Sequence, residues 1–64
     1  MYNWSVVYQY HDVRGGSGGG YIPTKADSIV EAVRNVDGML SDWMENYGWD
    51  DYQITNVNVI HEMH

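Results

Sequence analysis

From Tyr2 to Val13 the chain alternates. Tyr2, Trp4, Val6, Tyr8 and Tyr10 take the even positions, whereas Asn3, Ser5, Gln9 and His11 take odd ones, with Val7 the apolar exception. A period of two in aromatic and β-branched residues predicts a half-buried strand whose even face packs inward. The low-complexity run Gly15-Gly16-Ser17-Gly18-Gly19-Gly20 then reads as a hairpin connection. Tyr21-Ile22-Pro23-Thr24-Lys25-Ala26 reads as a short second strand. Pro23 has no N–H to give to a ladder, which puts this piece at a sheet edge or a strand end.

The period then changes. Ile29, Val33, Val36, Leu40, Trp43 and Tyr47 are separated by three or four residues, which is one face of a helix, and Val30, Ala32, Met39 and Met44 widen the stripe. Ser28 followed by Glu31 predicts a capping box, and Gly48 a left-handed C-terminal cap. Gly38 costs the helix about 1 kcal/mol, but the stripe keeps its phase across Asp37-Gly38, so a single helix is expected. In the last stretch, from Asp51 to Glu62, Tyr52 and Ile54 share one parity and Val57 and Val59 the other. A bulge near Thr55-Asn56 would put all four on one face. The expected architecture is α+β: ββαβ, a three-stranded antiparallel sheet in order 2-1-3, with one long helix on one face and a right-handed crossover. Residues 1–64 are expected to form one compact domain.

Charge changes this picture from a fold to a surface. The 64 residues carry three Lys+Arg against nine Asp+Glu, a formal net charge of −6. That balance argues against direct nucleic-acid binding, which needs a basic footprint. Cysteine is absent, so disulfides are excluded. No apolar run approaches a membrane span, and a cytoplasmic protein with no membrane partner is expected. Arg14, Lys25 and Arg34 all precede residue 35 and are balanced there by Asp12, Asp27 and Glu31. The whole excess therefore belongs to Asp37, Asp42, Glu45, Asp50, Asp51 and Glu62. Four of these crowd positions 42–51, around a helix C-terminus that prefers cations. Acids there oppose local stability, which marks either a solubility device or a binding surface.

Catalytic chemistry is not legible. Ser28 is explained as a cap, and Ser5, Ser17 and Ser41 have no base and orienter that spacing can assign. A single small sheet also offers little concavity. A non-enzymatic protein without a cofactor is expected. His11, His61 and His64, with Glu62, have ligand chemistry, and strand pairing could bring His11 near His61. Nothing fixes their spacing, so they read as solvated histidines rather than a metal site. The glycine run matches neither phosphate-loop pattern.

Three functions fit these residues. In the first, Asp42, Glu45, Asp50 and Asp51, with Trp49 as an exposed anchor, dock on a basic site of a partner protein, such as a nucleic-acid-binding effector. In the second, Arg14, Gly16, Gly18, Tyr21 and Lys25 hold a nucleotide signal between protomers, with backbone N–H groups and cations on phosphate and the tyrosine on a base. The third is a structural or assembly module. Self-association is expected in each case, because one helix covers one face of the sheet and leaves Val7, Gln9, His11 and Ile60 open to a second copy.

The segment Ala26-Asp27-Ser28-Ile29-Val30-Glu31-Ala32-Val33, an aromatic-ended helix and Tyr52-Gln53-Ile54-Thr55-Asn56-Val57 together resemble a pattern common in small phage-encoded accessory proteins. The resemblance is architectural and spans most of the chain. It implies a compact non-enzymatic viral protein, of a class that includes anti-CRISPR proteins, other defence inhibitors and sponges for nucleotide signals. It assigns no residue a role. With the acidic surface, it makes an inhibitor of a host defence system the leading expectation.

Overall fold

The computed structural model describes residues 2–60. Strand β1 (Tyr2–Asp12) pairs antiparallel with β2 (Ser17–Ala26) on one side and with β3 (Trp49–Ile60) on the other, giving the sheet order β2-β1-β3. Helix α1 (Ile29–Tyr47) connects β2 to β3 across the central strand. The architecture is therefore the α+β arrangement expected. At roughly 3.3 Å per residue, strands of this length make an elongated sheet, and the molecule measures 43 × 18 × 15 Å. No helix among the described residues is long and apolar enough to cross a membrane.

The caps fall where the sequence puts them. The Ser28 side chain accepts a hydrogen bond from the Glu31 amide at 3.2 Å. Gly48 ends the helix at φ 71°, in the left-handed region that a Cβ disfavours, and its N–H reaches the Met44 carbonyl. The core is built from Val6, Ile22, Ala26, Ala32, Val36 and Leu40. Ala32, Val36 and Leu40 form an i, i+4, i+8 row, and this row carries the helix onto the sheet. Ile29 and Tyr47, expected in the same stripe, are exposed. Ile29 is the first helical residue, and at the other end Trp43 and Trp49 meet edge to face in front of Tyr47.

The bulge in β3 is present. Val7 pairs with Asn56 and Tyr8 with Ile54, so Thr55 is the extra residue. Val57 then lies beside Val6, Ile54 beside Tyr8 and Tyr52 beside Tyr10, and Tyr52, Ile54 and Val57 pack against the core. A second irregularity pairs His11 with Asp51 and Asp12 with Trp49, which skips Asp50.

Two sequence expectations need correction. Only Gly15 and Gly16 of the glycine run lie in the loop. The connection is residues 13–16, closed by the Asp12 amide on the Gly16 carbonyl at 2.8 Å. Ser17 to Gly20 belong to β2, with Gly18 opposite Tyr10 and Gly20 opposite Tyr8. Trp49, which falls between the expected cap Gly48 and the stretch expected from Asp51, is the first residue of β3. Pro23 does stand on an edge strand, the place where its missing N–H is tolerated.

Tyr52 ties β3 to the helix. Its phenol donates to Asp37 Oδ1 at 2.7 Å. That hydrogen bond first, and burial second, raise the phenol above its ordinary 10.0. Tyr52→Phe is expected to cost about 0.5–1.5 kcal/mol in urea unfolding. The raised folded value also sets a pH dependence. The contribution is fully present below 10.0 and is lost as pH rises through the folded value, because the unfolded phenol ionises first. Tyr52→Phe should therefore flatten the alkaline fall in stability. An alkaline fall identical in the two proteins would contradict this.

A candidate binding site: an aromatic recess at the acidic end

The hairpin turn, the end of α1 and the start of β3 meet at one end of the molecule, where the Val13 amide donates to the Gly48 carbonyl at 3.2 Å. Five rings gather there. Tyr10 stacks on Trp49 with centroids 4.2 Å apart and planes 6° apart. Trp43 stands at 90° to Trp49 with centroids 6.3 Å apart. Tyr47 lies 6.3 Å from Trp49, tilted by 36°. Tyr8 meets Trp43 edge to face at 6.2 Å. These rings line an open recess of about 440 Å³, with Asp12 and Gly19 also in its wall.

The glycines explain why the rings fit. A Cβ on Gly18 would come within 2.6 Å of the Tyr10 hydroxyl, and one on Gly20 within 3.3 Å of the Tyr8 hydroxyl. The tyrosines of the central strand lean over positions on the edge strand that have no side chain, an arrangement that also protects edge glycines. Sequence reasoning missed the recess. The usable signal was the matched spacing of Tyr8-x-Tyr10 and Gly18-x-Gly20 across a short turn.

Carboxylates surround this end without forming one flat patch. Asp42 and Glu45 are exposed in the last two turns of α1, whose final turn holds no basic residue. Asp50 is exposed at the second bulge. Asp51 lies on the uncovered sheet face, where its Oδ1 is 2.7 Å from His11 Nδ1. Asp12 is half-buried and accepts the Arg14 backbone amide at 2.8 Å. Trp49, expected as an exposed anchor among the acids, is half-buried and stacked on Tyr10 instead. The structure thus brings Asp42, Glu45, Trp49, Asp50 and Asp51 to one end, but not to one face.

The nucleotide set is not brought together within one chain. Arg14 is in the hairpin turn, Gly16 closes it, and Gly18 lies under Tyr10. Lys25 pairs with Asn3, toward the far end of the sheet. Tyr21 is 68% exposed on the uncovered face. A larger groove, about 600 Å³, runs along residues 7–11 and 17–21, and its walls hold no Lys or Arg. Amides in a strand alternate in direction and do not converge on a phosphate. His61 and His64 lie outside the described residues, and His11 faces Asp51. No group of three metal-ligating side chains occurs among the described residues.

Comparison with protein-family models, curated proteins and solved structures finds no match.

Proposed function

We propose that this chain is a small non-enzymatic binding protein that docks its acidic end on a basic surface of a partner protein. The observation that carries this reading is the aromatic recess opening among the carboxylates of that end. Long-range attraction from a chain of charge −6 steers the encounter, and the half-buried rings supply the apolar contact that holds it. A basic surface that ordinarily holds nucleic acid has the right charge. Together with the resemblance to small phage accessory proteins, this makes inhibition of a host defence effector the function we assign.

An oligoarginine peptide serves as the probe. Its affinity should fall steeply as salt rises. Asp42→Asn, Glu45→Gln and Asp50→Asn combined should weaken binding at low salt by about tenfold or more, at roughly 1 kcal/mol for each close charge pair in water. Affinity indifferent to salt and to the three substitutions would overturn the proposal.

The uncovered sheet face is the surface left for a second copy. Val7, Tyr21, Pro23 and Ile60 stand on it among Asn3, Ser5, Gln9, Asn56 and Asn58. A two-fold pairing there would leave both acidic ends free, and light scattering that returns 7.4 kDa would remove it.

A further inference from the structure

The recess has a more specific chemistry than a generic apolar contact. We infer that it seats one guanidinium group, an arginine side chain of the partner, against the faces of Trp43, Tyr47 and Trp49, with Asp12 as the counter-charge. This inference rests on the docking reading and names what the docking surface grips.

Aromatic faces carry the negative part of a ring quadrupole and attract cations within about 6 Å of the centroid. Trp43 and Trp49 stand at 90° with centroids 6.3 Å apart, so they form two walls of a corner. Tyr47, 66% exposed, is the third ring and reaches both, at 6.5 Å from Trp43 and 6.3 Å from Trp49. Tyr10, stacked 4.2 Å from Trp49, covers one indole face and holds that wall in place. A volume of about 440 Å³ admits a planar cation and part of its stem.

Charge selects the sign of the occupant. An anion would meet Asp12 in the wall and Asp42, Glu45 and Asp50 around the same end. A neutral apolar group would cover the Asp12 carboxylate without bringing it a counter-charge. One Asp12 oxygen accepts the Arg14 amide, and an ionised carboxylate keeps further acceptor sites for an incoming N–H. Guanidinium fits better than ammonium on shape. It is planar, stacks on flat rings and is more weakly hydrated, so it leaves water at lower cost.

The test titrates the full-length chain with an oligoarginine peptide and with its citrulline counterpart, which keeps shape and loses charge. Indole fluorescence and affinity are the readouts. Wild type should bind the arginine peptide with a saturable fluorescence change, and the citrulline peptide should leave the fluorescence unmoved. Tyr47→Ala, at an exposed position that spares the fold, should weaken arginine binding by about two- to thirty-fold. Tyr47→Phe keeps the ring face and should retain the affinity. If Tyr47→Ala melts like wild type and binds with unchanged affinity while salt-dependent binding persists, the recess assignment fails and the docking reading stands. If the arginine peptide does not bind wild type at all, both fail.

Discussion

Leu40→Ala is expected to remove about 2–5 kcal/mol of stability, the range for truncating a fully buried leucine. Leu40 has no exposed surface and sits with Val6 and Val36 at the point where helix meets sheet. A chain of this length has a total stability of about 3–10 kcal/mol, so the change removes much of it. The midpoint of thermal unfolding should fall by about 10–30 °C, since each kcal/mol shifts a small domain by several degrees. Leu40→Met, which conserves volume, should cost under about 1.5 kcal/mol. Met39→Ala supplies the comparison one residue away, because Met39 is exposed. If Leu40→Ala and Met39→Ala melted together in circular dichroism, the helix would not rest on the sheet as described.

Gly19→Ala and Gly38→Ala are expected to have opposite signs. A Cβ on Gly19 would lie 2.5 Å from the Tyr8 carbonyl oxygen and 3.4 Å from the Gln9 Cα. Both are backbone atoms of the central strand, held by pairing on two sides. They cannot rotate aside, so the strands must shift, at a cost of about 1–3 kcal/mol. A Cβ on Gly38 meets nothing within 4 Å. There alanine should stabilise by about 0.5–1 kcal/mol, the helix-interior difference between the two residues. Gly18→Ala falls between them, because its clash is with the Tyr10 ring, which can move only by leaving Trp49. Urea midpoints for the three variants read this order directly. A stabilising Gly19→Ala would mean that residues 17–20 are a loop after all.

That glycine segment shows where sequence reasoning stops. Strand β1, the caps Ser28 and Gly48 and the bulge at Thr55 were legible because side chains report the face they occupy. Tyr52 and Ile54 disagree in parity with Val57 and Val59, and only an extra residue reconciles them. Glycine has no side chain to report a face, and its composition points to a turn. What makes Ser17 to Gly20 a strand is the pair of tyrosines on the neighbouring strand. Trp49 was misplaced for a related reason. Counting back from Tyr52 by twos puts position 49 on the uncovered face. The bulge at Asp50 turns it to the helix side, and nothing in Asp50-Asp51 signals a bulge. The acids were legible as charge along the chain, but not their distribution over two faces, because Asp51 is assigned a side only by pairing with His11.

Binding at the recess end can be read residue by residue from amide and indole chemical shifts of the isotope-labelled chain titrated with an oligoarginine peptide. The largest shifts should fall on residues 8–12 and 43–50, including the indoles of Trp43 and Trp49. The Trp4 indole, hydrogen-bonded at 3.0 Å to the Ala26 carbonyl, should stay still and serve as the internal reference. Shifts centred instead on Val7, Tyr21, Lys25 and Ile60, with the Trp43 and Trp49 indoles unmoved, would place binding on the uncovered sheet face and contradict it.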